Sequence, residues 1–99
     1  MTRIKKLSDN IKEELGDARK YAECYVDSKV SGNTAMMTRY KEMATDELRH
    51  ASYLHEMAVT EINRLTQAVT APDRMTEKWD RCHAKYVQYS AWIRQMLTM

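Results

Sequence analysis

The sequence has few residues that interrupt a helix. Its 99 residues include only 2 glycines and 1 proline, and phenylalanine is absent. An all-β fold needs many tight turns, so this composition argues against one and favours long helices with few breaks. No apolar run approaches the ~20 residues of a membrane span. The basic N-terminus leads into an amphipathic segment, without the apolar stretch of a signal peptide.

The sequence also has few cysteines and a small net charge. Cys24 and Cys82 lie 58 positions apart and form no Cys-x-x-Cys motif, which argues against a zinc knuckle or a rubredoxin-type iron site. We expect two reduced thiols in a cytoplasmic protein. The formal net charge is only +2, with charges of both signs interspersed. Neither a nucleic acid nor a membrane is therefore expected as a partner.

What the sequence does contain is hydrophobic periodicity. Apolar residues recur at steps of three and four, which predicts helices over about residues 3–30, 35–68 and 73–97. With 43% hydrophobic residues, the chain has enough apolar side chains for one all-α domain with a modest core. Short connections give an αα-hairpin followed by a third helix.

The glycines and the proline mark the breaks. Gly32 suits a position just past a helix end, and Asn33 or Thr34 is expected to cap the second helix. Pro72 ends the second helix or starts the third. Gly16 falls inside the first helix, where it costs up to ~1 kcal/mol against alanine. It either permits close packing or is a tolerated defect.

Ionisable residues occupy apolar positions in the first two helices. In the second helix, residues spaced by steps of three and four form a line along one face, which we call the seam. Its members are Met36, Tyr40, Met43, Glu47, His50, Leu54 and Met57. Glu47 and His50 form a Glu-x-x-His motif, so both lie on one face, one turn apart. Glu14 holds an equivalent seam position in the first helix. Burying such groups unpaired costs several kcal/mol, roughly, and a metal ion would neutralise them.

The hairpin predicts that these three residues meet. From Glu14 to the turn near Gly32 is about 16–18 residues, and from the turn to Glu47 is about 14–15. At ~1.5 Å per residue the two legs measure ~24–27 and ~21–23 Å. Glu14 is therefore expected almost level with Glu47 and His50.

Two carboxylates and one imidazole make half of a two-metal site. Two chains paired about a twofold axis would assemble four carboxylates, whose charge of −4 balances two divalent cations. This is the di-iron carboxylate arrangement of certain four-helix bundles, with a glutamate from each of two helices and Glu-x-x-His from each of the others. We expect a homodimer at least, or a larger even-numbered ring, binding two irons per dimer. Manganese or zinc would also suit the ligands.

The motifs that carry these residues resemble a known family. Residues 14–21 (ELGDARKY), followed by 46–51 (DELRHA), resemble the first half of the ferritin, bacterioferritin and rubrerythrin site. The resemblance covers the first two helices, about two-thirds of the chain. It implies that Glu14 is a terminal or chelating ligand, Glu47 bridges the metals and His50 is terminal.

The resemblance also implies a supporting residue and an assembly. Tyr21 would hydrogen-bond near the ligands, and Tyr40 is a second candidate for that role. The fold would be a ferritin-like four-helix bundle completed by dimerisation. Classical members carry both halves of the site in one chain, whereas this chain carries one. Its layout is closest to the encapsulated ferritins, and this resemblance implies an encapsulating protein shell as a partner and location.

The function implied is that of a ferroxidase. Such an oxidoreductase oxidises Fe(II) with O₂ or peroxide at the subunit interface, with iron storage as a linked role. The alternative is a non-enzymatic helical assembly module, in which the three residues hold a structural metal or form a buried polar network. His55, His83 and Glu13 are predicted to be surface residues without a ligand role.

Overall fold

The computed structural model describes residues 2–68 and 73–99 of the chain. They form three helices, α1 (Thr2–Val30), α2 (Thr34–Ala68) and α3 (Asp73–Met96). These ranges contain no strand, so the predicted all-α class is confirmed. The break at Pro72 lies outside the described residues. Across the described ranges, no helix combines the length and apolarity that crossing a membrane requires.

The α1–α2 turn has a Schellman geometry. Gly32 adopts a φ of 77°, its N–H donates to the Lys29 carbonyl, and the Asn33 N–H donates to the Ser28 carbonyl at 2.9 Å. Only glycine adopts this left-handed conformation without steric cost. Asn33, rather than Thr34, caps α2, because its Oδ1 accepts the Met36 N–H at 3.1 Å. Both ends of the turn are therefore hydrogen-bonded.

Small residues line the contact between α1 and α2. Five alanines in the two helices are fully buried: Ala18, Ala22, Ala44, Ala51 and Ala58. Leu15 and Leu48 are buried in the same core cluster. Side chains this short allow two helices to pack closely along much of their length. The hairpin is consequently the main unit of the fold.

The third helix packs chiefly against α1 and meets α2 over a shorter stretch. The Cys82 thiol donates to the Ser8 carbonyl at 3.8 Å, and Ile93 is fully buried. Nearer the C-terminus, the Arg19 guanidinium lies 4.7 Å from the centroid of the Trp92 ring. These contacts cover one side of the hairpin and leave the other side open in a single chain.

The predicted α2 seam is only partly buried within a single chain. A second line of apolar residues on α2, next to this seam, is more deeply buried, with Ala44, Ala51 and Ala58 fully covered. Three methionines of the predicted seam are exposed, and we call them the methionine face: Met36, Met43 and Met57. They are exposed because α3 packs on the opposite side of the hairpin. The periodicity identified the apolar positions but not which of them a single chain would cover.

The structure decides between the two interpretations of Gly16. A Cβ built at Gly16 would meet no atom within 4 Å apart from the adjacent residues and backbone of its own helix. No close approach of a neighbouring element therefore requires glycine here. Gly16 is a tolerated defect in a regular helix.

Candidate metal centre

The structure brings Glu14, Glu47 and His50 together on the open side of the hairpin. His50 Nδ1 lies 3.7 Å from Glu14 Oε2 and 3.8 Å from Glu47 Oε2. One ligand atom from each residue lies within 4.8 Å of the other two. In the described part of the chain, no other cluster of three His, Cys, Asp or Glu side chains meets this condition.

The lengths of the two helices explain this meeting. Glu14 lies 16 residues before Val30, the last residue of α1, and His50 lies 16 residues after Thr34, the first of α2. Antiparallel helices with equal legs place these two residues at one level. Glu47 lies one turn nearer the α1–α2 turn on the same face of α2. The predicted convergence is thus a direct result of where the turn occurs.

The three side chains are only partly buried in one chain. Their side-chain exposed fractions are 27% for Glu14, 22% for Glu47 and 52% for His50. The carboxylates are thus more shielded than the imidazole, which faces the open side. Solvent and metal ions can reach the group without any movement of the helices.

The donor set fits a divalent cation. Neighbouring ligand atoms around a metal with bonds of about 2.0–2.2 Å lie about 2.8–3.1 Å apart at octahedral angles and about 3.3–3.6 Å apart at tetrahedral angles. The observed separations of 3.7 and 3.8 Å are somewhat longer, and small side-chain rotations would shorten them. Two carboxylates neutralise one dication, and the neutral imidazole supplies a third ligand. Three protein ligands leave coordination positions open for other molecules.

Tyr21, the predicted supporting residue, lies toward the turn from this triad. Its ring stacks on Tyr40 across the two helices, with centroids 6.5 Å apart. Tyr21 follows Glu14 by seven residues, a distance of ~10.5 Å along the helix. No hydrogen bond between Tyr21 and the triad occurs among the described residues. The hydrogen-bonding role implied by the family resemblance stays a prediction.

Neighbouring acids have other partners. Asp46 accepts a hydrogen bond from Arg49 at 3.2 Å, and both side chains are exposed. Glu61 pairs with Arg64 at 2.6 Å and with Arg3 at 3.3 Å. The Arg64 hydrogen bond holds the pKa of Glu61 below its usual value. These carboxylates are therefore engaged in ion pairs with arginines rather than with the triad.

A second group of side chains was missed by the sequence interpretation. His55 Nε2 lies 2.8 Å from His83 Nδ1, a contact between α2 and α3. His55 also stacks on Tyr86, with ring centroids 4.2 Å apart, and is partly buried rather than on the surface. Burial is the main reason why its pKa is lowered, with a smaller effect of His83. The histidines are 28 positions apart, so spacing within one helix gave no signal of their contact.

Comparison of the chain with protein-family models, with curated proteins and with solved structures gives no match.

Proposed function

We propose that two copies of this chain form a ferritin-like ferroxidase, in which Fe(II) is oxidised by O₂ or peroxide at the interface. Each chain would contribute Glu14, Glu47 and His50, so that the pair holds two metal ions. The observation that carries the proposal is the meeting of these three side chains on the uncovered side of a helical hairpin.

The surroundings of the triad support a second copy as the covering partner. The methionine face runs along α2 on the same side as His50, and Met57 is 57% exposed. Burying such side chains is favourable by roughly 25 cal/mol per Å² of apolar surface. A second hairpin packed on this face would complete a four-helix bundle and shield the carboxylates of both chains.

Charge balance supports the same pairing. Four carboxylates brought together would repel one another strongly in a partly dry site. Two divalent cations neutralise them, so metal binding and association would favour each other. By the family resemblance, Glu14 would be a terminal or chelating ligand, Glu47 would bridge the two metals and His50 would be a terminal ligand. His50 binds a metal only in its neutral form, because protonation removes the lone pair.

The chain's own residues would prepare the site, and the metal would perform the electron transfer. Bound Fe(II) would supply the electrons that O₂ or peroxide accepts. Glu14 and Glu47 fix the position of the iron through two helices whose relative level is set by the turn. The carboxylates also stabilise the higher positive charge of the oxidised product more than that of Fe(II).

Oxygen consumption on addition of Fe(II) tests the proposal. The metal-free protein is mixed anaerobically with Fe(II), bound iron is counted, and O₂ or peroxide is then admitted. We expect about one iron per chain and oxidation faster than in a protein-free control at the same pH. Iron that binds without accelerated oxidation would exclude the ferroxidase and leave a metal-binding module.

One observation favours the non-enzymatic alternative. A protonated His50 would lie within 4 Å of both carboxylates, so the triad can also be an ion-paired network without metal. Such a network would stabilise an assembly module and need no iron. Metal analysis separates this metal-free network from the ferroxidase, because the network predicts dimers whose stability is unaffected by chelators. A module with a structural metal is instead identified by metal that binds without accelerated iron oxidation.

A further inference from the structure

The contact between His55 and His83 is a second place where metal-ligating atoms converge. His55 Nε2 and His83 Nδ1 are 2.8 Å apart, and each nitrogen comes from a different helix. Tyr86 stacks on His55 from one side, and Trp79 lies 5.2 Å from the same ring between centroids. These aromatic neighbours limit the orientations of the His55 ring, while His83 remains exposed.

We propose that His55 and His83 form a second metal site, a two-imidazole chelate for a nitrogen-preferring divalent cation such as Zn²⁺, Ni²⁺ or Cu²⁺. It is distinct from the carboxylate triad in position as well as in chemistry. His55 follows His50 by five residues, so it lies ~7.5 Å further along α2 and is rotated by about 140° around the helix axis.

The separation of the two nitrogens suits a chelate. With metal–nitrogen bonds of about 2.0–2.1 Å, nitrogens 2.8 Å apart subtend about 85–90° at the metal. This is the angle between adjacent ligands in square-planar or octahedral coordination. A tetrahedral zinc ion needs about 3.3 Å between ligand nitrogens, which a small rotation of the exposed His83 would provide. Water would fill the remaining positions.

The environment selects the kind of metal. No carboxylate joins the two histidines in a three-residue metal group within the described ranges. Oxygen-preferring cations such as Mg²⁺ and Ca²⁺ therefore gain little here, whereas imidazole suits the later transition metals. Partial burial lowers the pKa of His55, which keeps its ring neutral and able to bind a metal near neutral pH.

The site would connect α3 to α2. Since α3 packs chiefly against α1, its contact with α2 is short. A metal held by one histidine of each helix would fix that contact and stabilise the folded chain by mass action. The ligand class follows from the two imidazoles alone and does not depend on iron oxidation at the triad.

Zn²⁺ titration of the full chain tests the site, followed through the imidazole ¹⁵N chemical shifts and by calorimetry. The decisive variant is His83→Asn, whose side chain can still hydrogen-bond to His55 but is a poor zinc ligand. His50→Ala is the control that alters only the triad. We expect Zn²⁺ to shift His55 Nε2 and His83 Nδ1 together in the parent and in His50→Ala. In His83→Asn the His55 shift should disappear and zinc affinity at this site should fall about tenfold or more.

Two results would overturn the proposal. In one, Zn²⁺ shifts only the His50 nitrogens of the parent protein. In the other, His83→Asn binds zinc as tightly as the parent, with the same shift of His55. The contact would then be a hydrogen bond that joins the helices. Circular dichroism of each variant verifies that it is folded before the titration is interpreted.

Discussion

Tyr21 of α1 stacks on Tyr40 of α2, with ring planes inclined by only 24°. Tyr21 follows Glu14 by seven residues and Tyr40 precedes Glu47 by seven, so both tyrosines lie two helical turns from the carboxylates. The pair connects the helices between the turn and the triad. Such aromatic pairs contribute ~0.5–1.5 kcal/mol beyond the area that they bury.

The first prediction distinguishes the packing role of the Tyr21 ring from the role of its hydroxyl group at the triad. Tyr21→Phe should leave the melting temperature nearly unchanged, because the stacked ring remains. If the hydroxyl assists the triad, as the family resemblance implies, iron oxidation should slow in Tyr21→Phe but not in Tyr40→Phe. Stopped-flow absorbance after mixing with Fe(II) measures both rates. Equal rates in the two variants would assign Tyr21 a packing role only.

The second prediction concerns activity and stability at the triad. Glu14→Gln and Glu47→Gln should each lose most of the Fe(II)-dependent oxygen uptake, because a charged ligand is replaced by a weak neutral one. In the metal-free dimer the carboxylates repel one another, so at least one variant should melt as high as the metal-free parent, or higher. Glu13→Gln, next to Glu14 but exposed, is the matched control and should behave as the parent.

His50→Ala should weaken iron binding without abolishing it, since the carboxylates remain together. Iron stoichiometry after desalting measures the difference between this variant and Glu47→Gln, which should lose both metals of a dimer. If all three substitutions instead unfold the protein, while the parent shows no iron-dependent oxygen uptake, the triad is a structural network.

The third prediction concerns assembly. Chelators should shift the protein toward smaller species, and Fe(II), Mn(II) or Zn(II) should reverse the shift, because metal binds the dimer more tightly than the single chain. Light scattering coupled to size exclusion follows the mass. Met43→Lys, on the methionine face, should favour the monomer, whereas Val87→Lys, an exposed position on α3, should not. A stable monomer carrying a full complement of metal would exclude the shared site.

The fourth prediction uses the two cysteines to test the packing of α3. Burial raises the pKa of the Cys82 thiol, and its side chain is almost inaccessible, whereas Cys24 is partly exposed. Iodoacetamide at pH 8 should therefore modify Cys24 first, since the thiolate is the reactive form. Mass spectrometry of Cys24→Ser should show slow labelling until denaturant is added. Fast labelling of Cys82 under native conditions would mean that α3 detaches readily from α1.

The fifth prediction compares the effects of alanine substitutions at the two glycines on the free energy of unfolding. Gly16→Ala should raise the free energy of unfolding by about 0.5–1 kcal/mol, because the site is helical and an added Cβ meets nothing. Gly32→Ala should lower it by about 1–2 kcal/mol, because φ is positive there. Urea denaturation measures both. A loss of stability in Gly16→Ala would indicate that another copy of the chain approaches α1 at this point.

Much of the hairpin could be predicted from local patterns. The turn at Gly32 has a specific backbone requirement, and the seam positions of Glu14, Glu47 and His50 follow from helical periodicity. The burial of the seam could not be predicted, because periodicity does not say which of two adjacent stripes α3 will leave uncovered. The contact of His55 with His83 depends on how α3 docks, which is a tertiary property without a local signature.

The turn at Gly32 sets the rotation of α2 about its own axis relative to α1, as well as the direction in which α2 runs. One residue inserted between the turn and the triad, in α2 alone, would rotate Glu47 and His50 by ~100° and advance them by ~1.5 Å. The ligands of α2 would then no longer face Glu14. Seven residues inserted in both helices would complete nearly two turns in each and restore the facing arrangement further from the turn. The triad is therefore specified by the equality of two lengths, so changes in one helix must be matched in the other.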